Sequence, residues 1–303
     1  MVACDLGSNT FRVVEFDCRK KVRLKEYEKI VRLAEGLSES GKISKAALQR
    51  LLKAIEEANG IFDFPRRPHR CVATAAMRLA KNGLQIREEI LKKTGLDFEI
   101  IDAKEEAELT RLAVQTRLRE LGMRDDSCVL LDLGGGSTEL TLCEGEIHID
   151  QSLDIGIVTI LEEESQNGLR RKIDEYYQPL AQFFNQSLQK IGSRPQYFVA
   201  TAGTPTTIAA FLQGVDYNHY DYKKINGMVI TREMLHKALE RLLKMGEEER
   251  RRWVGVGRED LIIAGVLMLE KIIAICGYEE MIVIDDGLRE GVALKACGEN
   301  LAK

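Results

Sequence analysis

Short apolar runs alternate with longer amphipathic stretches along most of the chain. Apolar residues lead up to Asp5, and Val13, Val14 and Phe16 follow a polar turn. Residues 22–34 then alternate apolar and charged positions, so the opening reads as a mixed sheet. Helices are predicted over 44–59, 74–82 and 84–94, with strands at 70–75 and 98–102. A longer helix is expected over 104–121, with Leu109, Leu112, Ala113, Thr116 and Leu118 as its apolar stripe. The second half repeats the alternation. Strands are predicted at 128–131, 139–143, 146–153, 197–201 and 281–284. Helices are predicted at 169–191, after Ala202, at 234–245, at 261–275 and from Leu288 onward. This is an α/β pattern. The short polar stretch 122–127 sets the expected boundary between a first domain, 1–122, and a second, 123–303, with the final helix free to pack back on the first.

A length of 303 residues agrees with two domains at roughly 150 residues each. The net charge of −4 argues against a non-specific nucleic-acid binder. No apolar run reaches the roughly 18 residues of a membrane span, and the first strand leaves no stretch for a signal peptide, so a cytoplasmic protein is expected. The seven cysteines are scattered and form no Cys-x-x-Cys pair, which predicts reduced, buried thiols.

The chemistry concentrates at residues 131–140, Leu-Asp-Leu-Gly-Gly-Gly-Ser-Thr-Glu-Leu. Glycines let a backbone turn sharply and present successive N–H groups to an anion. Asp132 and Glu139 at either end suit a hard divalent cation. A related unit runs from Asp5 to Arg12. Aligning Asp5 with Asp132 places Gly7 on Gly134, Thr10 on Ser137 and Arg12 on Glu139, as a strand–turn–strand unit used twice would do. Residues 36–43 come near a P-loop, but Ile43 follows the lysine, so they read as a surface loop before the Ser44 cap. Arg78 lies one turn into its helix, either on a solvated face or aimed at an anion. Glu105, Glu106 and Glu108 crowd the start of a helix, either as favourable charges at its dipole or as the source of a base. Ala202-Gly-Thr-Pro-Thr-Thr207 joins a strand to a helix N-terminus, an arrangement that suits phosphate as well as plain capping. Residues 217–224 are aromatic and polar, as expected of a surface loop near a site or partner.

Taken in order, these stretches resemble the exopolyphosphatase / guanosine pentaphosphate phosphohydrolase family of the actin–sugar kinase–heat-shock ATPase superfamily. The resemblance is carried by 5–12, by Ala73-Thr-Ala-Ala-Met-Arg78 through Asn82, by Glu105-Glu-Ala107, by 132–140, by 203–207, by Arg258-Glu-Asp260 and by Gly287-Leu-Arg-Glu-Gly291. It implies two actin-like (ribonuclease H-like) α/β domains with mixed sheets flanked by helices. It also implies hydrolysis of a terminal phosphoanhydride, with inorganic polyphosphate and guanosine pentaphosphate or tetraphosphate as partners and a place in the stringent response. By the match, Glu106 would be the general base, and Asp132 and Glu139 would hold Mg²⁺ or another divalent cation. Phosphate would be bound by Ser8, Asn9, Thr10, Arg12, Arg78, Gly134, Gly135, Gly136, Ser137, Thr138, Gly203, Thr204, Thr206 and Arg258. Three positions depart from the family pattern: Glu108 for Arg, Asn226 for His and Asp286 for Gly. None of the four histidines precedes an Asp, so the helical His-Asp module of long members is not expected. A kinase of the same superfamily and a non-catalytic nucleotide or polyphosphate sensor are the competing readings, and a homodimer is left open.

Overall fold

The computed structural model describes residues 1–163 and 168–301. Two compact units emerge. One comprises Met1–Ala113 and the residues from Gly287 on, the other Val114–Asp286.

The first unit holds five strands in the order β3-β2-β1-β4-β5. These are β1 (Val2–Leu6), β2 (Thr10–Asp17), β3 (Val22–Ile30), β4 (His69–Ala73) and β5 (Phe98–Ile100). β1 pairs antiparallel with β2 and parallel with β4. Its central place explains why every residue in it is buried. Five helices follow in this part of the chain: α1 (Leu37–Ser40), α2 (Lys45–Phe62), α3 (Ala75–Leu79), α4 (Gly83–Thr94) and α5 (Ala103–Glu120). The Ser44 hydroxyl caps α2 by accepting from the Ala47 N–H at 3.1 Å.

The second unit carries a six-stranded sheet in the order β10-β11-β9-β6-β7-β8. Its strands are β6 (Ser127–Leu133), β7 (Thr138–Glu144), β8 (Ile147–Leu153), β9 (Tyr197–Thr201), β10 (Met228–Thr231) and β11 (Glu280–Val283). Its helices are α6 (Ile157–Glu163), α7 (Leu169–Ile191), α8 (Gly203–Leu212), α9 (Tyr222–Ile225), α10 (Arg232–Lys244), α11 (Glu247–Val254) and α12 (Leu261–Cys276). α12 is apolar on nearly every side and packs against α6, α7, α8 and α10, which is why it shows no amphipathic stripe. Gly265 lets it approach α8, since a Cβ there would lie 2.5 Å from Thr204 Oγ1. The last helix, α13 (Leu288–Leu301), belongs to the first unit.

The expected α/β class with two mixed, helix-flanked sheets is what the chain builds. The division between units falls inside α5, at Ala113/Val114, rather than in the polar loop after it. The cause is packing. Leu109 joins a cluster with Ala3, Val72 and Val292, whereas Val114 and Leu118 join Cys128, Leu130 and Val199. The cysteines correct an expectation. Cys18 and Cys297 form a disulfide across 279 residues, while Cys4, Cys71, Cys128, Cys143 and Cys276 are free and buried. Spacing gives no hint of that bond, because only the return of α13 to the β2–β3 turn brings the two Cα atoms within 5.3 Å. No described helix is long and apolar enough to cross a membrane.

Candidate active site

In the second unit, β6 and β7 form an antiparallel pair in which Asp132 stands directly opposite Glu139. Such partners project to the same face with Cα atoms roughly 4.5–5.5 Å apart. Like charges so placed repel. Glu139 is only 4% exposed and accepts from Ser152 Oγ at 2.9 Å. The turn between the strands closes when the Gly134 N–H donates to the Ser137 carbonyl at 3.0 Å. The carbonyls of Gly134 and Gly135 accept from Ile157 and Val158 at the start of α6. The amides of Gly135 and Gly136 have no acceptor among the described residues, as a phosphate-binding turn requires. Gly156 supports the turn from behind, where a Cβ would lie 2.5 Å from Gly135 C and Gly136 N.

Thr138 is not displayed to a ligand. It is 0% exposed, and its hydroxyl donates to the Ile155 carbonyl at 2.7 Å and meets the Tyr177 hydroxyl at 2.8 Å. Burial pushes the Tyr177 phenol upward, so it stays a neutral hydrogen-bonding group. The inward turn of the Thr138 hydroxyl could not be inferred from a strand whose positions from Thr138 to Cys143 are all buried. Thr206 is similarly committed, its hydroxyl donating back to the carbonyls of Ala202 and Gly203. Thr204 packs against Gly265. What α8 does offer is a first turn with no side-chain cap, beginning at Gly203. Arg258 lies over the Tyr217 ring, 5.5 Å from its centroid.

The first unit repeats the turn with other charges. Gly7 N–H donates to the Thr10 carbonyl at 3.0 Å, and Asp5 stands opposite Arg12. Arg12 Nε donates to Glu28 at 2.9 Å. Ser8 and Asn9 hold the turn through backbone carbonyls, which accept from Ala34, Val31 and Arg32. The side-chain oxygen of Asn9 is buried and unpartnered. So is Arg78 Nη2. Buried polar atoms without protein partners are uncommon in proteins, and each leaves a bond for water or a polar ligand to make.

Arg78 therefore does not lie on a solvated face. Its Nη1 donates to Glu106 at 3.0 Å and to the Ile101 carbonyl at 3.1 Å. Glu106 is 8% exposed. Its neighbours in the same turn are spoken for elsewhere. Glu105 is gripped by Lys295 at 2.9 Å and Arg70 at 3.0 Å, and its amide is capped by Asp102 Oδ1 at 2.8 Å. The Lys295 ammonium, against an opposing effect of burial and with help from Arg70, holds the Glu105 carboxyl below the usual range. Glu108 is half-exposed and lies 3.8 Å from Lys104. Of the three acids in the first turns of α5, Glu106 is the buried one.

Two of the departures from the family pattern meet in space. Asp286 is held by Arg117 at 2.6 and 3.1 Å and accepts from Asn226 Nδ2 at 3.2 Å. Asn226 Oδ1 accepts from the Asp285 amide at 2.7 Å. Asn226 thus bridges the backbone of Asp285 and the side chain of Asp286.

Among the described residues, no cluster of three or more His, Cys, Asp or Glu side chains is arranged to hold a metal. The Asp132–Glu139 pair suits Mg²⁺, which is commonly held by one or two carboxylates and completes its shell with water and phosphate oxygens. The donor set fits that ion.

The family model for the Ppx/GppA phosphatase family matches residues 17–299. The chain belongs to that family. Exopolyphosphatase 2 of Mycobacterium tuberculosis is 27% identical over 325 residues, covering 98% of each chain. The crystal structure of the Aquifex aeolicus member of the Ppx/GppA family superposes with a TM-score of 0.73 at 28% identity, over 99% of this chain and 97% of that one. An exopolyphosphatase structure from Cytophaga hutchinsonii shares the fold, with a TM-score of 0.84 at 21% identity over 98% and 97% of the two chains. Ppx/GppA membership places the chain among phosphohydrolases.

Proposed function

We propose that the protein is a metal-dependent phosphohydrolase that removes terminal orthophosphate from inorganic polyphosphate, with guanosine pentaphosphate as a second substrate of the same chemistry. The observation that carries this reading is Glu106, a buried carboxylate in an ion pair with Arg78, whose second guanidinium nitrogen has no partner. In the reaction, water attacks the terminal phosphorus, gives its proton to the Glu106 carboxylate, and displaces the shortened chain as the anhydride P–O bond breaks. A positioned base of this kind contributes about 10²–10⁴-fold. Arg78 would hold the carboxylate in place and turn its free nitrogen to a phosphate oxygen. The open amides of Gly135 and Gly136 would receive phosphate oxygens in the second unit, while Arg12 would bind phosphate in the first. Mg²⁺, held by Asp132 and Glu139, would neutralise charge on the phosphates. Thr138 and Thr206 would serve the phosphate-binding turns of the second unit through the backbone they fasten.

The deciding experiment measures orthophosphate release from polyphosphate and from guanosine pentaphosphate by the purified protein, with Mg²⁺ and with a chelator. Release that depends on the metal is expected. No release from either substrate in Mg²⁺ overturns the reading.

A further inference from the structure

We infer that Cys18–Cys297 is a redox-operated latch on α13, the helix that braces the turn carrying Glu106. The functional half of this inference rests on Glu106 acting as the base. Cys18 opens the β2–β3 turn and is half-buried, and Cys297 lies near the end of α13. Ahead of Cys297, α13 meets α5 at Gly291 and at Lys295 among other places. Gly291 sits so close that a Cβ would lie 1.9 Å from the Leu109 carbonyl oxygen. Lys295, two residues before Cys297, holds Glu105 at 2.9 Å. Glu105 adjoins Glu106, so the disulfide fastens the stretch of α13 that fixes the base's neighbour.

The other cysteines are unsuited to such a role. All five are buried, and burial raises the Cys4 thiol well above its ordinary range and pushes Cys276 up to about 12. At the β2–β3 turn, by contrast, Arg19, Lys20 and Lys21 follow Cys18 and are exposed, with Asp17 as the acid on the other side. Neighbouring cations favour a thiolate. A dithiol reductant would attack Cys18 Sγ, breaking the Sγ–Sγ bond and releasing Cys297 as a thiolate that takes up a proton. The reductant's second thiol would then displace Cys18 as a thiolate, a leaving group favoured by those cations, and that thiolate takes up the second proton. Two electrons and two protons pass from the dithiol, which leaves as a disulfide.

The test uses the full chain, purified without reductant and compared with the same protein after dithiothreitol. Alkylation and peptide mapping should show Cys18 joined to Cys297 before treatment and seven free thiols after it. On reduction, hydrogen exchange should quicken roughly three- to tenfold in α13 and the first turn of α5, with the second unit unchanged. Turnover should fall several-fold at constant KM, and the Cys18→Ser variant should show the reduced behaviour regardless of treatment. Seven free thiols that fail to pair with oxidised glutathione overturn the latch, as does exchange unaltered by reduction. Exchange is read without substrate, so a protein inactive in both states would sink the proposed function while the latch is still decided.

Discussion

The two glycine hairpins close on the same bond and then part. In the first, Gly7 N–H reaches the Thr10 carbonyl at 3.0 Å, and in the second Gly134 N–H reaches the Ser137 carbonyl at 3.0 Å. Further along the strands, Asp5 faces Arg12 in one and Asp132 faces Glu139 in the other. The backbone device is identical, and one side chain changes what it is good for. A hairpin with opposite charges across the pair needs no added ion to balance them. One with two carboxylates carries a repulsion that a divalent cation would relieve. The supports differ as well. The first turn is held by amides from residues 31–34, whereas the second lies on Gly156 and the start of α6.

The proposed function divides the labour between Glu106 as base and Asp132 and Glu139 as metal ligands, and the largest expected effect tests that division. Glu106→Gln should lower kcat by about 10²–10⁴-fold and leave the Mg²⁺ titration midpoint where it was. Glu105→Gln, which alters a residue already tied to Lys295 and Arg70, should cost far less. A larger loss in Glu105→Gln would reverse the assignment. Next in size, Glu139→Gln should cost at least about 100-fold in turnover, since a metal supplies several kcal/mol of charge stabilisation. Unlike Glu106→Gln, it should also shift the Mg²⁺ midpoint upward. A titration that moves in the Glu106 variant but not in the Glu139 variant would separate the metal from the second hairpin.

Much of this arrangement was legible in the residues. The helix predicted at 169–191 is α7, because Leu169, Ile173, Tyr177, Leu180 and Phe184 recur on one face. The hairpin around 134–136 followed from three glycines between apolar runs. α11 was not legible. It has a single buried residue, Val254, and its helical signal is charge spacing such as Arg251 on Glu247 at 2.8 Å. Nor could spacing reveal that the Thr138 hydroxyl turns inward, because β7 is buried on both faces through Cys143 and its alternation carries no sign. At Arg78 the residues left two readings open, and only the fold could place it on Glu106.

Arg12 marks where the first hairpin departs from the second, and its loss is expected to be felt in affinity. Arg12→Ala should weaken polyphosphate binding by roughly 1.5–3 kcal/mol, the range for hydrogen bonds to charged groups. The Mg²⁺ midpoint should stay in place. Equilibrium binding at fixed salt checks this, and an unchanged Kd would mean that the ion pair of Arg12 with Glu28 serves structure and not substrate.

The smallest effect is the one that bears most directly on the two charge patterns, because it needs no substrate. Asp132→Asn removes a carboxylate from opposite another carboxylate. In a chelator, that change should leave the fold as stable as before or stabilise it by about 0.2–1 kcal/mol, the usual scale of a cross-strand pair. Asp5→Asn removes a carboxylate from opposite Arg12 and should destabilise the fold by a similar amount or more, since Asp5 is buried. Adding Mg²⁺ should then stabilise the parent and the Asp5 variant but not the Asp132 variant, because only a protein that binds the ion gains from it. Urea unfolding of the three proteins with and without Mg²⁺ supplies six curves. Opposite signs for the two variants in chelator, with the metal response lost only at Asp132, would establish that the hairpins differ by charge and not by shape. Equal losses in both variants would mean that Asp132 is a structural residue, and the cation would have to be sought elsewhere.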